Sequence, residues 1–120
     1  MKFGRHFLDL NAVDSEDLRS ILSEASLLKN HAKSGDASLL EGRVLALIFE
    51  RPSTRTRISF QVAMVQLGGQ AVVLSLEDSQ LGRGETMADT ARVLSRYVDA
   101  IVLRATNHKT LLELAEHSEV

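Results

Sequence analysis

Ser53, Thr54, Arg55, Thr56 and Arg57 stand side by side in this chain, so two guanidinium groups and three hydroxyls fall within five residues. That is the donor set a phosphate dianion calls for, because guanidinium contacts are charge-assisted and bidentate, and hydroxyl and backbone N–H donors fill the remaining oxygen lone pairs. The stretch follows an unbroken apolar run, Val44-Leu45-Ala46-Leu47-Ile48-Phe49, and opens an amphipathic segment that closes on Gly68-Gly69. It therefore sits where a buried strand hands over to a helix. At a helix start the first N–H groups have no intrahelical partner, and the helix dipole favours an anion. These residues form a phosphate socket.

Arg55 and Arg57 are two positions apart, so on a helix they diverge. Arg55 is expected to meet the phosphate, and Arg57 to support the site or a neighbouring carboxylate. A solvated basic helix start is the plainer alternative. The stretch is not a P-loop, whose glycine pattern and lysine are missing, and it holds no Gly-x-Gly-x-x-Gly turn. Further along, Arg104 ends another apolar run and is either a rim ion pair or a second ligand for the same anion. His6, His31, His108 and His117 are scattered, and no nucleophile–base pair declares itself. Metal-ligand spacing is missing too, so neither a metal nor another cofactor is expected. What remains is catalysis by positioning and electrostatics, with donors aimed at a phosphate leaving group and a polarised carbonyl.

The elements that must position these groups follow from periodicity. Leu18, Ile21, Leu22, Ala25 and Leu28 recur at the spacing of one buried helical face, after Asp14 as a cap and before Gly35 as a stop. Three strand–helix units come next. The spacing predicts strands at Val44 to Glu50, Ala71 to Leu76 and Ala100 to Leu103. Helices are predicted from about Thr54 to Leu67, after Thr86 carrying Met87, Ala91, Leu94 and Tyr97, and after Asn107 carrying Leu111, Leu112 and Ala115. Continuous apolar strands indicate burial on both faces, hence an α/β fold with three α/β/α layers around a mostly parallel sheet. Ligands of such sheets bind beyond the carboxyl ends of the strands. Ser53 to Arg57, the loop Ser79-Gln80-Leu81-Gly82-Arg83-Gly84 and Arg104 all fall at that edge.

Bulk composition narrows the function classes. The 120 residues, 44% of them hydrophobic and 25% charged, make one ordinary domain. Such a domain buries roughly two-thirds of the surface its unfolded chain exposes. A net charge of −2 argues against general affinity for nucleic acid or anionic membrane, and Glu41, Glu50, Glu77 and Asp78 flank the arginines with acid. Having no cysteine, the chain has no disulfide or thiolate metal site, which suits a reducing cytoplasm. No apolar run approaches the ~20 residues of a membrane span, and the N-terminus lacks the apolar core of a signal peptide. A cytoplasmic protein is expected.

Phe49-Glu50-Arg51-Pro52-Ser53-Thr54-Arg55-Thr56-Arg57 closely resembles the phosphate-binding signature of the aspartate/ornithine carbamoyltransferase family. The likeness continues through Gln80-Leu81-Gly82-Arg83-Gly84-Glu85-Thr86 and Asp89-Thr90-Ala91-Arg92-Val93-Leu94-Ser95-Arg96-Tyr97, and ends at Arg104. Arg5-His6-Phe7-Leu8 looks like the family's opening. The ornithine branch fits best, since aspartate enzymes usually place the glutamate directly before the proline and carry a lysine in the loop where Arg83 stands. The resemblance implies that Ser53, Thr54, Arg55 and Thr56 bind the phosphate of carbamoyl phosphate, with Thr56 and Arg104 polarising its carbonyl. It also implies that Gln80 reaches the site of an adjacent subunit in a homotrimer, and that the δ-amine of ornithine attacks to give citrulline and phosphate. Residues 1–120 then correspond to the carbamoyl phosphate-binding domain. The family's His-Pro-x-Gln segment and ornithine-binding domain are expected beyond Val120, where a fourth strand should start. The alternatives are an aspartate or other amine-accepting carbamoyltransferase, or a non-catalytic phosphate-binding module.

Overall fold

A computed structural model of the chain describes residues 6–32, 38–75 and 84–120. The apolar run forms strand β1, Val44–Phe49, which is buried from Leu45 to Phe49. Pro52 cannot extend a ladder, and the chain turns there into helix α2, Thr54–Gln66. This helix stops at Gly68, whose φ of 87° lies in the left-handed region that glycine enters without steric cost. Gly69 is also needed, for a different reason: a Cβ there would lie 2.6 Å from the Met64 Cε and 3.0 Å from the carbonyl oxygens of Leu40 and Arg43.

Strand β2, Gln70–Ser75, follows, and helix α3, Met87–Leu94, is capped by Thr86, whose Oγ1 accepts from the Asp89 N–H at 3.1 Å. Buried Thr90 donates to Glu85 Oε1 at 3.1 Å, so Glu85 and Thr86 are both tied to α3. Strand β3, Ala100–Arg104, leads to helix α4, His108–His117, which Asn107 caps by accepting from the Lys109 N–H at 2.9 Å. Both caps agree with the sequence expectation.

All three strands are parallel, in the order β2-β1-β3. Leu45, Leu47 and Phe49 cluster with Met64 of α2 on one face, while Ala46 and Ile48 are fully buried on the other. For parallel strands in this order, the right-handed connections that such sheets almost always make place α2 and α3 on opposite faces; α2 packs on β2, and α3 packs on α4. The three-layer α/β expectation thus agrees with the structure. Burial on both faces, however, holds for β1 alone. As the outer strands of the described sheet, β2 and β3 are buried only in part, and Val72 is 47% exposed.

Helix α1, Ser15–Ala32, follows a 3₁₀ turn at Leu10–Ala12. Its apolar stripe is only partly covered: Leu18, Ile21 and Leu28 are half-buried, whereas Ala25 is exposed and Leu22 is 69% exposed. The reason is its place: Ala25 and Leu28 face Ala63 and Leu67 across a cleft beside α2. Tyr97 is a second departure, because α3 ends at Leu94 and leaves the tyrosine 78% exposed in the following turn. Gly35, Leu76 and the loop containing Gln80 lie outside the described residues.

At the amino edge of the sheet, Asp99 fastens β3 to β1. Its Oδ2 accepts from the Val44 N–H at 2.8 Å, its Oδ1 from Arg43 Nη1 at 2.9 Å, and its own N–H donates to the Val44 carbonyl at 2.9 Å. The Val44 amide first, and the Arg43 guanidinium second, hold its carboxyl below the ordinary value of 3.8. A lowered folded-state pKa contributes stability that is present above the unfolded value and is lost as pH falls through the folded one. Asp99→Asn is therefore expected to lower the thermal midpoint at neutral pH, with the gap to the native chain closing as the pH drops below 3.8. Melting curves across that range check this; a gap that stays constant with pH would assign the effect to something other than the charge.

Candidate anion-binding site

With the strand order β2-β1-β3, the chain leaves β1 for β2 on one side, and β3 lies on the other side of β1. The carboxyl ends of β1 and β3 therefore flank a topological switch point, where open α/β sheets bind their ligands. Two loops meet there, one running from β1 into α2 and one from β3 into α4.

Ser53 is the N-cap of α2, but its hydroxyl makes no capping bond. Instead Ser53 Oγ donates to Thr56 Oγ1 at 3.0 Å, and Arg104 Nη1 donates to the same oxygen at 2.9 Å. A hydroxyl has two lone pairs and one hydrogen. With both lone pairs engaged, the Thr56 hydrogen remains as an outward donor. Thr86 and Asn107 use their side chains to satisfy the first turns of their own helices, whereas Ser53 leaves the start of α2 uncapped. The positive end of a 13-residue helix thus stays available to an anion.

Arg55 is exposed, and no hydrogen bond to its side chain occurs among the described residues. Thr54, beside it, is also exposed, while Ser53 and Thr56 are half-buried. Arg104 meets a hydroxyl, and no carboxylate pairs with it among the described residues, which removes the rim ion pair as its role there. Arg57 is engaged within its own helix, its Nε donating to the Gln61 amide oxygen at 3.3 Å rather than to a carboxylate. It lines a small cleft with Glu50, Pro52, Ser53, Thr54 and Ser75. The divergence of the two arginines is as their spacing requires. Gln80 lies outside the described residues.

Two residues of this crevice carried no signal of a role in the sequence. The Glu50 N–H donates to the Arg104 carbonyl at 3.1 Å, and Glu50 Oε2 accepts from Thr106 Oγ1 at 2.6 Å and the Thr106 N–H at 3.4 Å. Glu50 Oε1 is buried and has no hydrogen-bond partner among the described residues. Glu50 stands in the signature stretch directly after a buried strand, which marked its place but not its partner, and Thr106 offered no signal. A larger cavity, of about 430 Å³, runs along β3 and is lined mainly by apolar residues such as Phe60, Ile101 and Leu114. It has the wrong chemistry for an anion.

A doubly wound α/β domain with a hydroxyl- and guanidinium-lined helix start at its switch point has the donor arrangement that suits a small phosphorylated ligand. Residues 5–120 match the family described as aspartate/ornithine carbamoyltransferase, carbamoyl-P binding domain, and the chain belongs to that family. It is 59% identical over 121 residues to the ornithine carbamoyltransferase of Agrobacterium fabrum (strain C58 / ATCC 33970), an alignment covering 100% of this chain and 40% of that protein. Among solved structures, ornithine carbamoyltransferase from Pyrococcus furiosus superposes with a TM-score of 0.89 at 52% identity, over 98% of this chain and 38% of that one. The catalytic subunit of M. jannaschii aspartate transcarbamoylase gives a TM-score of 0.88 at 37% identity, over 98% and 39%. The chain thus spans about two-fifths of the length of these relatives.

Proposed function

We propose that this chain is the carbamoyl phosphate-binding part of an ornithine carbamoyltransferase. Such an enzyme transfers the carbamoyl group of carbamoyl phosphate to the δ-amine of ornithine and releases citrulline and phosphate. The observation that carries the reading is the meeting of Ser53, Thr56 and Arg104 at the uncapped start of α2. In this reading Ser53, Thr54, Arg55 and Thr56 take the phosphate oxygens, using hydroxyls, the guanidinium and the first N–H groups of the helix. Thr56 and Arg104 donate to the carbonyl oxygen, where negative charge grows as the amine attacks. As the carbon–oxygen bond to phosphate breaks, the same donors that bind the substrate stabilise the departing phosphate.

The acceptor site and the rest of the carbonyl-binding groups are assigned to polypeptide beyond these 120 residues. Gln80 is assigned to the site of a neighbouring subunit in a homotrimer, and the protein to the cytoplasm and to arginine biosynthesis. No helix among the described residues is long and apolar enough to cross a membrane. The aspartate enzyme is the second reading, because its backbone superposes nearly as well. Identity favours ornithine: 52% against 37%.

Titration calorimetry with carbamoyl phosphate tests the proposal on this chain. Saturable binding, competed by inorganic phosphate and weakened by salt, is the expected result. Heat no greater than dilution at millimolar ligand would remove the reading. The chain alone should form no measurable citrulline, and robust turnover by it would overturn the assignment of the acceptor site to other sequence.

A further inference from the structure

Arg104 is held at the crevice by its Nη1 bond to Thr56, yet its side chain is exposed and long. An exposed guanidinium has many rotamers, and ordering it costs up to ~2 kcal/mol. Something must restrain the backbone that carries it. On one side that restraint is the Glu50 N–H, which donates to the Arg104 carbonyl. Two residues on, the Thr106 hydroxyl donates to Glu50 Oε2 in the shortest bond of the crevice, 2.6 Å, and the Thr106 N–H donates to the same oxygen. Glu50 therefore grips the chain at Arg104 and again at Thr106, across 56 residues of sequence. It does so from the loop that carries Ser53 and Thr56.

We infer that Thr106 is a positioning residue for Arg104, acting through the Glu50 carboxylate. Among the described residues, the two loops at the switch point are otherwise joined by the Arg104–Thr56 bond itself. Among the described residues, Thr106 makes no hydrogen bond to Ser53, Thr54, Arg55, Thr56 or the Arg104 side chain. Its charge-assisted bond sets where β3 ends relative to the start of α2, and so whether the Arg104 fork reaches the ligand carbonyl and Thr56 together. The inference rests on the carbamoyl phosphate reading for its functional consequence, and on the bonds of Glu50 for its structural one.

The test compares Thr106→Val, which keeps shape and removes the donor hydroxyl, with Thr106→Ser, which keeps the hydroxyl. Carbamoyl phosphate affinity is expected to fall about tenfold in the valine variant and to stay near native in the serine variant. The valine variant is expected to melt somewhat lower, so its affinity is read well below its own midpoint, where a tenfold loss reports positioning and not unfolding; the serine variant should melt near native. NMR of the Arg104 guanidinium supplies a ligand-free readout: its Nε–H signal should shift and its order fall in the valine variant only. Glu50→Gln, which retains an acceptor but loses the charge, is expected between the two and serves if the valine variant does not fold. Native-like affinity together with an unchanged Arg104 signal in the valine variant would overturn the inference. If the native chain binds no carbamoyl phosphate, the functional reading fails, and the Arg104 signal alone then decides whether Thr106 orders that side chain.

Discussion

Arg55→Ala is expected to weaken carbamoyl phosphate binding by about ten- to a hundredfold while leaving the thermal midpoint where it is. The two halves of this outcome have separate causes. Arg55 is exposed and makes no hydrogen bond among the described residues, so folding gains little from its head group. Surface changes of that kind usually alter stability by no more than ~0.5 kcal/mol. Bound to a phosphate at the start of α2, the same group would make charge-assisted bonds worth ~1.5–3 kcal/mol, and each ~1.4 kcal/mol is tenfold in affinity. Arg55→Lys should recover only part of the loss, since an ammonium cannot reproduce the planar two-pronged contact. Calorimetry with carbamoyl phosphate and with inorganic phosphate reads both effects. An alanine variant that binds as the native chain does would take Arg55 out of the socket and leave Ser53, Thr56 and Arg104 as its substance.

Leu47→Ala should have the opposite profile, destabilising the fold by ~2–5 kcal/mol. Leu47 has no exposed surface at the middle of the central strand, and its core cluster includes Leu45, Phe49 and Met64. Parallel neighbours lie on both sides, Val73 of β2 and Val102 of β3. A cavity there cannot be filled by one neighbour moving, because the pairing partners on both flanks hold the strand in register. Domains of this size are typically stable by only ~5–15 kcal/mol, so the loss is a large share of the total. Urea titration measures it as a lower midpoint with an unchanged slope. A shift smaller than ~1 kcal/mol would show that the sheet repacks freely and that β1 is not the rigid support that the site requires. Well below the unfolding midpoint, phosphate affinity should be close to native, in contrast to Arg55→Ala.

Much of this protein was legible before any tertiary structure. Local periodicity placed each strand and helix within a few residues, because apolar runs and helical spacing report burial along a single element. Turn and cap chemistry did the same at Thr86, Asn107 and Gly68. The donor set Ser53 to Arg57 could be read as a candidate anion site because its chemistry is contiguous, and the divergence of Arg55 from Arg57 followed from helical geometry alone. Where the reading overreached, the cause was neighbours that periodicity does not contain. Leu22 belongs to a regular stripe but has little to pack on, and Tyr97 continues a helical pattern past the point where the helix ends.

What the sequence by itself determined was therefore the set of parts: a parallel α/β unit, a socket at the first strand-to-helix turn, and an arginine at the end of the third strand. Only the tertiary structure decided which parts meet. The order β2-β1-β3 puts Arg104 next to the socket, and no local pattern distinguishes it from an order with β3 outside β2. That choice depends on how helices cover both faces of the central strand, a property of the whole packed chain. From it come the Arg104 bond to Thr56 and the Thr106 bond to Glu50, between residues 48 and 56 positions apart. Sequence names the donors, and strand order brings Arg104 to Thr56.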